Sequence, residues 1–194
     1  LSEQQQAVLS SIRFPRVLLA VIVGASLAIS GSAMQGLFRN PLADPGLIGI
    51  AASAALAVAI VIVLAGPISG FFGLYGLSFA AFAGALIACF LIFRLARLTG
   101  GFSVTYMLLT GIAINALAGA GVGVLTFLSD DQQLRTLTFW TMGSLGGALW
   151  PSVIVVSTIV IPASIILIRN ARELNVLLLG ENEAKYLGVD AERL

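Results

Sequence analysis

Apolar residues run along this chain in long, almost unbroken stretches, and short polar or turn-forming breaks separate them. Stretches long enough to cross a bilayer, about 20 residues each, lie at roughly 17–38, 46–66, 74–93, 104–128 and 148–168. None alternates strictly as a barrel strand does, so each predicts a helix, and the fold is expected to be all-α with five membrane spans. Between the last two spans, "SDDQQLRTLTFWTMGSLGGALW" opens on charges and continues as an apolar patch too short to span. It predicts an interfacial or re-entrant helix at about 131–142. "GPISGFFGLYG", residues 66–76, is uncharged and aromatic, as a short outer turn at the interface would be.

The pattern changes again beyond Arg172, where "ELNVLLLGENEAKYLGVDAERL" mixes charges with apolar residues. This reads as an amphipathic tail on the inner face, divided by Gly180 and Gly188 into pieces of one or two turns. Residues 1–168 are thus expected to form a transmembrane domain and 169–194 a cytoplasmic segment. Inside the spans, Ala51, Ala55 and Ala59, then Ala80, Gly84 and Ala88, then Gly119 and Gly123 form small-residue seams that let helices pack closely in lipid. Pro162 removes a backbone hydrogen bond within the fifth span and predicts a kink. Asn115, in the middle of the fourth, is either an interhelical hydrogen-bonding group or a pathway residue.

Composition agrees with a membrane protein: 59% of residues are hydrophobic and only 10% charged, against roughly 25% charged in soluble domains. The net charge of +1 says little, because the place of each cation matters more than the sum. With the N-terminal end outside, Arg39, Arg94, Arg97, Arg169, Arg172, Lys185 and Arg193 fall inside, and Arg13, Arg16 and Arg135 outside. That asymmetry favours this orientation. An odd number of spans, a start without Met and a stop just after a charged segment are read as part of a longer polypeptide.

Little chemistry is available to an enzyme. There is no His, which removes the commonest general base and metal ligand. Cys89 is the only cysteine and reads as a small buried hydrophobe, so neither a disulfide nor a thiolate metal cluster is expected. Asp130 and Asp131 have the spacing of charges that cap a helix start, a simpler role than a cation site or an acid–base pair. No catalytic residue, metal, cofactor or nucleic-acid partner is expected, and no Walker motif occurs.

The block "IRFPRVLLAVIVGASLAISGSAMQGLFRNPLADPGLIGI", residues 12–50, resembles the second and third membrane helices of FecCD-type ABC importer permeases, which move iron siderophores, haem and vitamin B12. "TFWTMGSLGGALW" and "LLLGENEAKYLGV" resemble that family's outer re-entrant helix and cytoplasmic coupling loop, so the likeness covers nearly the whole chain. It implies a fragment of a ten-helix permease, lacking the first helix and the last four. The partners it implies are a second permease subunit, two ATP-binding subunits, a periplasmic substrate-binding protein and membrane lipid. The place implied is the bacterial inner membrane.

The same resemblance implies residue roles. Asn40 and Leu42, in the turn after the second family helix, would contribute to an inner gate, with Val104 and Thr105 as a second gate element. Val104 departs from the small hydroxyl residue usual there. Arg13 and Arg16 would receive glutamates of the binding protein, a pairing that suits the guanidinium fork; without the resemblance, anchoring to lipid headgroups is the first reading of them. Gly180, Glu181, Ala184 and Gly188 carry the likeness to the segment that rests on the ATPase. A secondary transporter of a small organic solute is the alternative, but it usually needs an intramembrane Asp, Glu or Lys, and no span contains one. Within the family, the "LSEQQQAVLSSIRFPR" and "RNPLADPGLIGI" stretches look most like haem permeases.

Overall fold

The computed structural model describes residues 2–65, 71–97 and 104–189, without the side chains at 47, 71–74, 181 and 182. Helix α1 (Glu3–Val8) passes through a π-helical turn (Leu9–Arg13) into α2 (Phe14–Phe38), and a 3-10 turn (Pro45–Ile48) precedes α3 (Ile50–Leu64). There follow α4 (Phe71–Arg97), α5 (Val104–Leu128), α6 (Asp131–Met142), α7 (Trp150–Arg169), α8 (Ala171–Leu177) and α9 (Glu181–Tyr186). Gly66–Gly70, the first part of the expected outer turn, and Arg193 lie outside the described residues, and the rest of that turn is helical, the start of α4.

Four helices among the described residues, not five, are long and apolar enough to cross a membrane: Glu3–Phe38, Tyr75–Arg97, Val104–Leu128 and Trp150–Arg169. The stretch expected to span at 46–66 is helical over 15 residues only, about 22 Å, short of a hydrocarbon core of about 30 Å. Its first turn is diverted by local chemistry. The Asp44 carboxylate accepts the Gly46 N–H at 2.6 Å and opens the 3-10 turn, and Gly49 at φ 81° redirects the chain before α3 begins.

Two compact units partition the chain, one drawn from Leu1–Ala43 with Ser144–Leu194 and the other from Asp44–Gly143. In the first, α2 and α7 run parallel, as the pairing of their ends shows. At one end, the π turn leads Phe14 N–H to Leu9 O, and Pro15 has no N–H to offer the next carbonyl, that of Ser10. The Trp150 indole donates to that carbonyl instead, at 3.0 Å. Arg16 Nη2 donates to Gly146 O at 2.8 Å, in the connection that leads into α7. Leu19, Ala148 and Val153 close a small buried cluster beneath these bonds. At the other end of α2, Gly36 faces the Leu174 carbonyl of α8.

The second unit is built around α3, whose Val58, Ala59 and Ile62 form its core with Leu125 of α5 and Leu137 of α6. α4 lies antiparallel to α3 with the seam of Gly84 and Ala88 turned inward. A Cβ at Gly84 would come within 2.6 Å of both Ala57 Cβ and Ser53 O, so the expected close packing is there. The seam expected at Gly119 and Gly123 is not, because a Cβ on either would meet nothing within 4 Å. α5 instead turns Val104, Gly111, Ala118 and Leu125 inward. This seven-residue spacing keeps one narrow stripe on its neighbours. Gly111 meets Ile48 and Gly121 meets Leu56. Cys89 also departs from expectation: it is exposed on α4, because the inward face there belongs to residues four apart, Gly84, Ala88, Ile92 and Ala96.

α6 covers 131–142, the range expected for the short outer helix. Asp130 accepts the Gln133 N–H at 2.8 Å while Gln133 Oε1 accepts the Asp130 N–H at 3.1 Å. That reciprocal box satisfies two otherwise orphaned donors and accounts for Asp130 without a catalytic role. α7 continues through Pro162 to Arg169. Asn115 is half-buried, its backbone N–H lying against Gly49.

Candidate functional site

One end of the first unit brings the end of α2 and the turn after it together with the α8–α9 segment, which lies far away in sequence. α2 ends in a motif in which the Arg39 N–H reaches Gly36 O at 3.3 Å and the Asn40 N–H reaches Gln35 O at 3.2 Å. Arg39 itself takes the left-handed conformation (φ 51°, ψ 35°), and among the described residues it is the only non-glycine with positive φ. Glycine normally fills such a position, because a Cβ there costs roughly 1 kcal/mol.

The following turn is fixed by Asn40. Its Oδ1 accepts the Leu42 N–H at 2.9 Å and its carbonyl accepts the Ala43 N–H at 3.0 Å, with Pro41 holding φ between them. Leu42 is thereby held outward, 83% exposed. An apolar side chain presented by a rigid Asx turn is suited to closing against another surface, and Asn40 is what aims it.

α8 and α9 are separated and stopped where glycines were expected to act. Gly180 (φ 127°, buried) precedes α9, and Gly188 (φ 82°) closes it, with Gly188 N–H to Lys185 O at 3.0 Å and Val189 N–H to Ala184 O at 2.9 Å. Ala184 is 0% exposed and seats α9 on its own chain, so it is not part of an outward face. Gly188 is exposed, and the Glu181 side chain lies outside the described residues. α9 and its flanks present four large apolar side chains outward, Leu178, Leu179, Leu187 and, at 91% exposure, Tyr186, beside the exposed Glu183 and Lys185. Sequence reading overlooked these four. Their signal was a cluster of large apolar residues flanking two glycines in an otherwise charged tail.

Arg13 and Arg16 occupy the opposite end of α2, and at 1.5 Å per residue the stretch from Arg16 to Gly36 is about 30 Å long. Both are exposed, though Arg16 also holds the Gly146 carbonyl. Val104 and Thr105 lie in the other unit, at the first turn of α5, with Val104 buried and Thr105 exposed. The structure thus groups Asn40 and Leu42 with the tail, and Arg13 with Arg16.

The sequence of the FecCD transport family matches residues 1–194 of this chain. The chain belongs to that family. Among similar proteins, the hemin transport system permease protein HmuU of Yersinia pestis is 52% identical over 183 residues, covering 94% of this chain and 54% of that protein. The cobalamin import system permease protein BtuC of Halobacterium salinarum is 40% identical, covering 98% of this chain and 50% of its own length. The FecCD-family chain therefore spans about half the length of these curated relatives. Its fold matches a solved structure described as an inward-facing conformation of a metal-chelate type ABC transporter, with TM-score 0.88 and 33% identity over 98% of this chain and 59% of the other. All-helical architecture and a multi-pass membrane protein follow from family and fold together.

Proposed function

We propose that this chain is the inner-membrane permease portion of an ATP-driven importer that carries a bulky iron complex, haem or a ferric siderophore, or cobalamin from periplasm to cytoplasm. The observation that carries the reading is the 52% identity to a hemin permease along nearly the whole chain, which favours haem. A periplasmic binding protein docks at Arg13 and Arg16. Asn40 and Leu42 form one inner gate element, Val104 and Thr105 a second, in which exposed Thr105 is the residue able to face a pathway. The segment around Gly180, Glu181, Ala184 and Gly188 rests on one of two separate ATP-hydrolysing subunits, and the permease works as a homodimer.

Geometry supports this division of labour. Arg13 and Arg16 stand at the opposite end of α2 from Leu42, about one bilayer core away. The tail meets its partner through Leu179, Tyr186 and Leu187, whose exposure suits burial by another protein, while Ala184 fastens α9 to the permease. The test is reconstitution of the full-length permease with its ATPase in lipid vesicles, supplied with binding protein loaded with haem, ferric siderophore or cobalamin. ATP-dependent uptake of haem above the other two is expected. If none of the three enters in an ATP-dependent way, the proposed function is wrong.

A further inference from the structure

The same left-handed helix stop occurs twice in the first unit, once with glycine and once with arginine. α9 ends on Gly188 and α2 on Arg39, each with the two backbone hydrogen bonds of that motif. The motif therefore needs no side chain at this position, and Arg39 bears a backbone strain that Gly188 avoids. Its guanidinium has a definite destination. A Cβ added to Gly180 would lie 3.7 Å from Arg39 Nη1 and would collide with Glu183 Oε2. A cation from the end of α2 and a carboxylate from the first turn of α9 thus converge on the buried backbone of Gly180, which only glycine can provide at φ 127°.

We propose that Arg39 is a positioning residue that pins the start of α9 to the backbone of the gate turn, so that a displacement of α9 is delivered directly to Asn40 and Leu42. The proposal rests on the reading of 180–188 as the coupling segment and of Asn40 and Leu42 as a gate. The physical path is short. Arg39 is bonded covalently to Asn40, and Asn40 Oδ1 holds the Leu42 N–H at 2.9 Å, so no loop intervenes between the Arg39 and Leu42 backbones. Arginine is suited to this because its planar fork can engage a carboxylate and a carbonyl from one fixed orientation, which a lysine ammonium does less well.

The decisive variant is Arg39→Gly, which relaxes the backbone while removing the pin, and so separates positioning from folding. Full-length permease carrying Arg39→Gly, Arg39→Lys, Arg39→Glu, or the exchanged pair Arg39→Glu with Glu183→Arg is assembled with its ATPase in vesicles, with loaded binding protein present. Substrate taken up per ATP hydrolysed is then measured. Arg39→Gly is expected to insert and to resist unfolding at least as well as the parent, yet to lose about fivefold or more of that ratio, the low end of ordinary coupling strengths. Arg39→Lys should retain more of the ratio than Arg39→Gly, and the exchanged pair more than Arg39→Glu alone. A ratio for Arg39→Gly within twofold of the parent would overturn the pin. The underlying coupling reading is checked separately by cross-linking Tyr186→Cys to the ATPase subunit: failure to cross-link overturns that reading and the pin with it, whereas cross-linking with an unchanged Arg39→Gly ratio overturns the pin alone.

Discussion

Two glycines that read alike in sequence should respond in opposite ways to a single methyl group. At Gly84 a Cβ would sit 2.6 Å from Ala57 Cβ and 2.6 Å from Ser53 O, the latter a backbone atom of α3 that cannot rotate aside. Carbon contacts are favourable only from about 3.5 Å, so Gly84→Ala must push α4 and α3 apart by roughly 1 Å. Overpacking of this kind costs about 1–3 kcal/mol. In water the better helix propensity of alanine would offset about 1 kcal/mol of that. In lipid the separated helices remain helical, so propensity nearly cancels between packed and unpacked states and the packing cost dominates. At Gly119 a Cβ meets nothing within 4 Å, and Gly119→Ala should fall within about 0.5 kcal/mol of the parent.

Both variants can be followed by SDS-titrated unfolding in mixed micelles. Trp140 is a suitable fluorescent reporter, because it packs against the cluster of Val58, Ala59, Ile62, Leu125 and Leu137. Gly84→Ala is expected to unfold at clearly lower detergent fraction, and Gly119→Ala at the parent value. Equal midpoints for the two, or a higher one for Gly84→Ala, would refute the argument that α3 and α4 meet at Gly84.

Asp130→Ala removes one half of the capping box and should cost α6 about 1 kcal/mol, seen as faster amide exchange at Gln132 and Gln133 with the exchange of α4 unchanged. Leu42→Ala deletes an exposed apolar side chain and should leave the unfolding midpoint within about 0.5 kcal/mol of the parent, while vesicles containing the full-length permease leak substrate without ATP; tight vesicles would remove Leu42 from the gate. Arg13→Glu and Arg16→Glu should both weaken association with the binding protein, but only Arg16→Glu should also destabilise the fold, because only Arg16 holds the Gly146 carbonyl. Equal stability of the two would show that this bond contributes nothing.

Run length and turn chemistry were the most legible signals. Helices over 104–128 and 131–142, the Asp130 cap and the breaks at Gly180 and Gly188 all follow from local rules that need no partner to operate. Which face of a helix turns inward was not legible. Gly119 and Gly123 have the spacing of a packing seam, but spacing alone does not name the helix that will lie across it; on α5 the inward stripe is set by where Ile48 and Leu56 arrive from the α3 side. The short α3 was missed for a related reason. Hydropathy sums over 46–49 as it does over any apolar run, whereas the Asp44 carboxylate and the left-handed Gly49 decide that those residues form a turn.

Arg39 was within reach of the sequence and shows what to look for. Pro41 disfavours helical backbone at Asn40, and "GLFRNP" offers no glycine between Phe38 and Pro41 to take the left-handed stop that a long helix commonly needs. The stop must then fall on an unsuited residue. Such a conflict between local propensity and required geometry points to a compensating contact elsewhere in the fold. Here the place for such a contact is beside Gly180, where a Cβ would collide with Glu183 Oε2 and lie 3.7 Å from Arg39 Nη1. The cation and the glycine are thus two parts of one arrangement, 141 residues apart in sequence, and neither position is explained by its own segment alone.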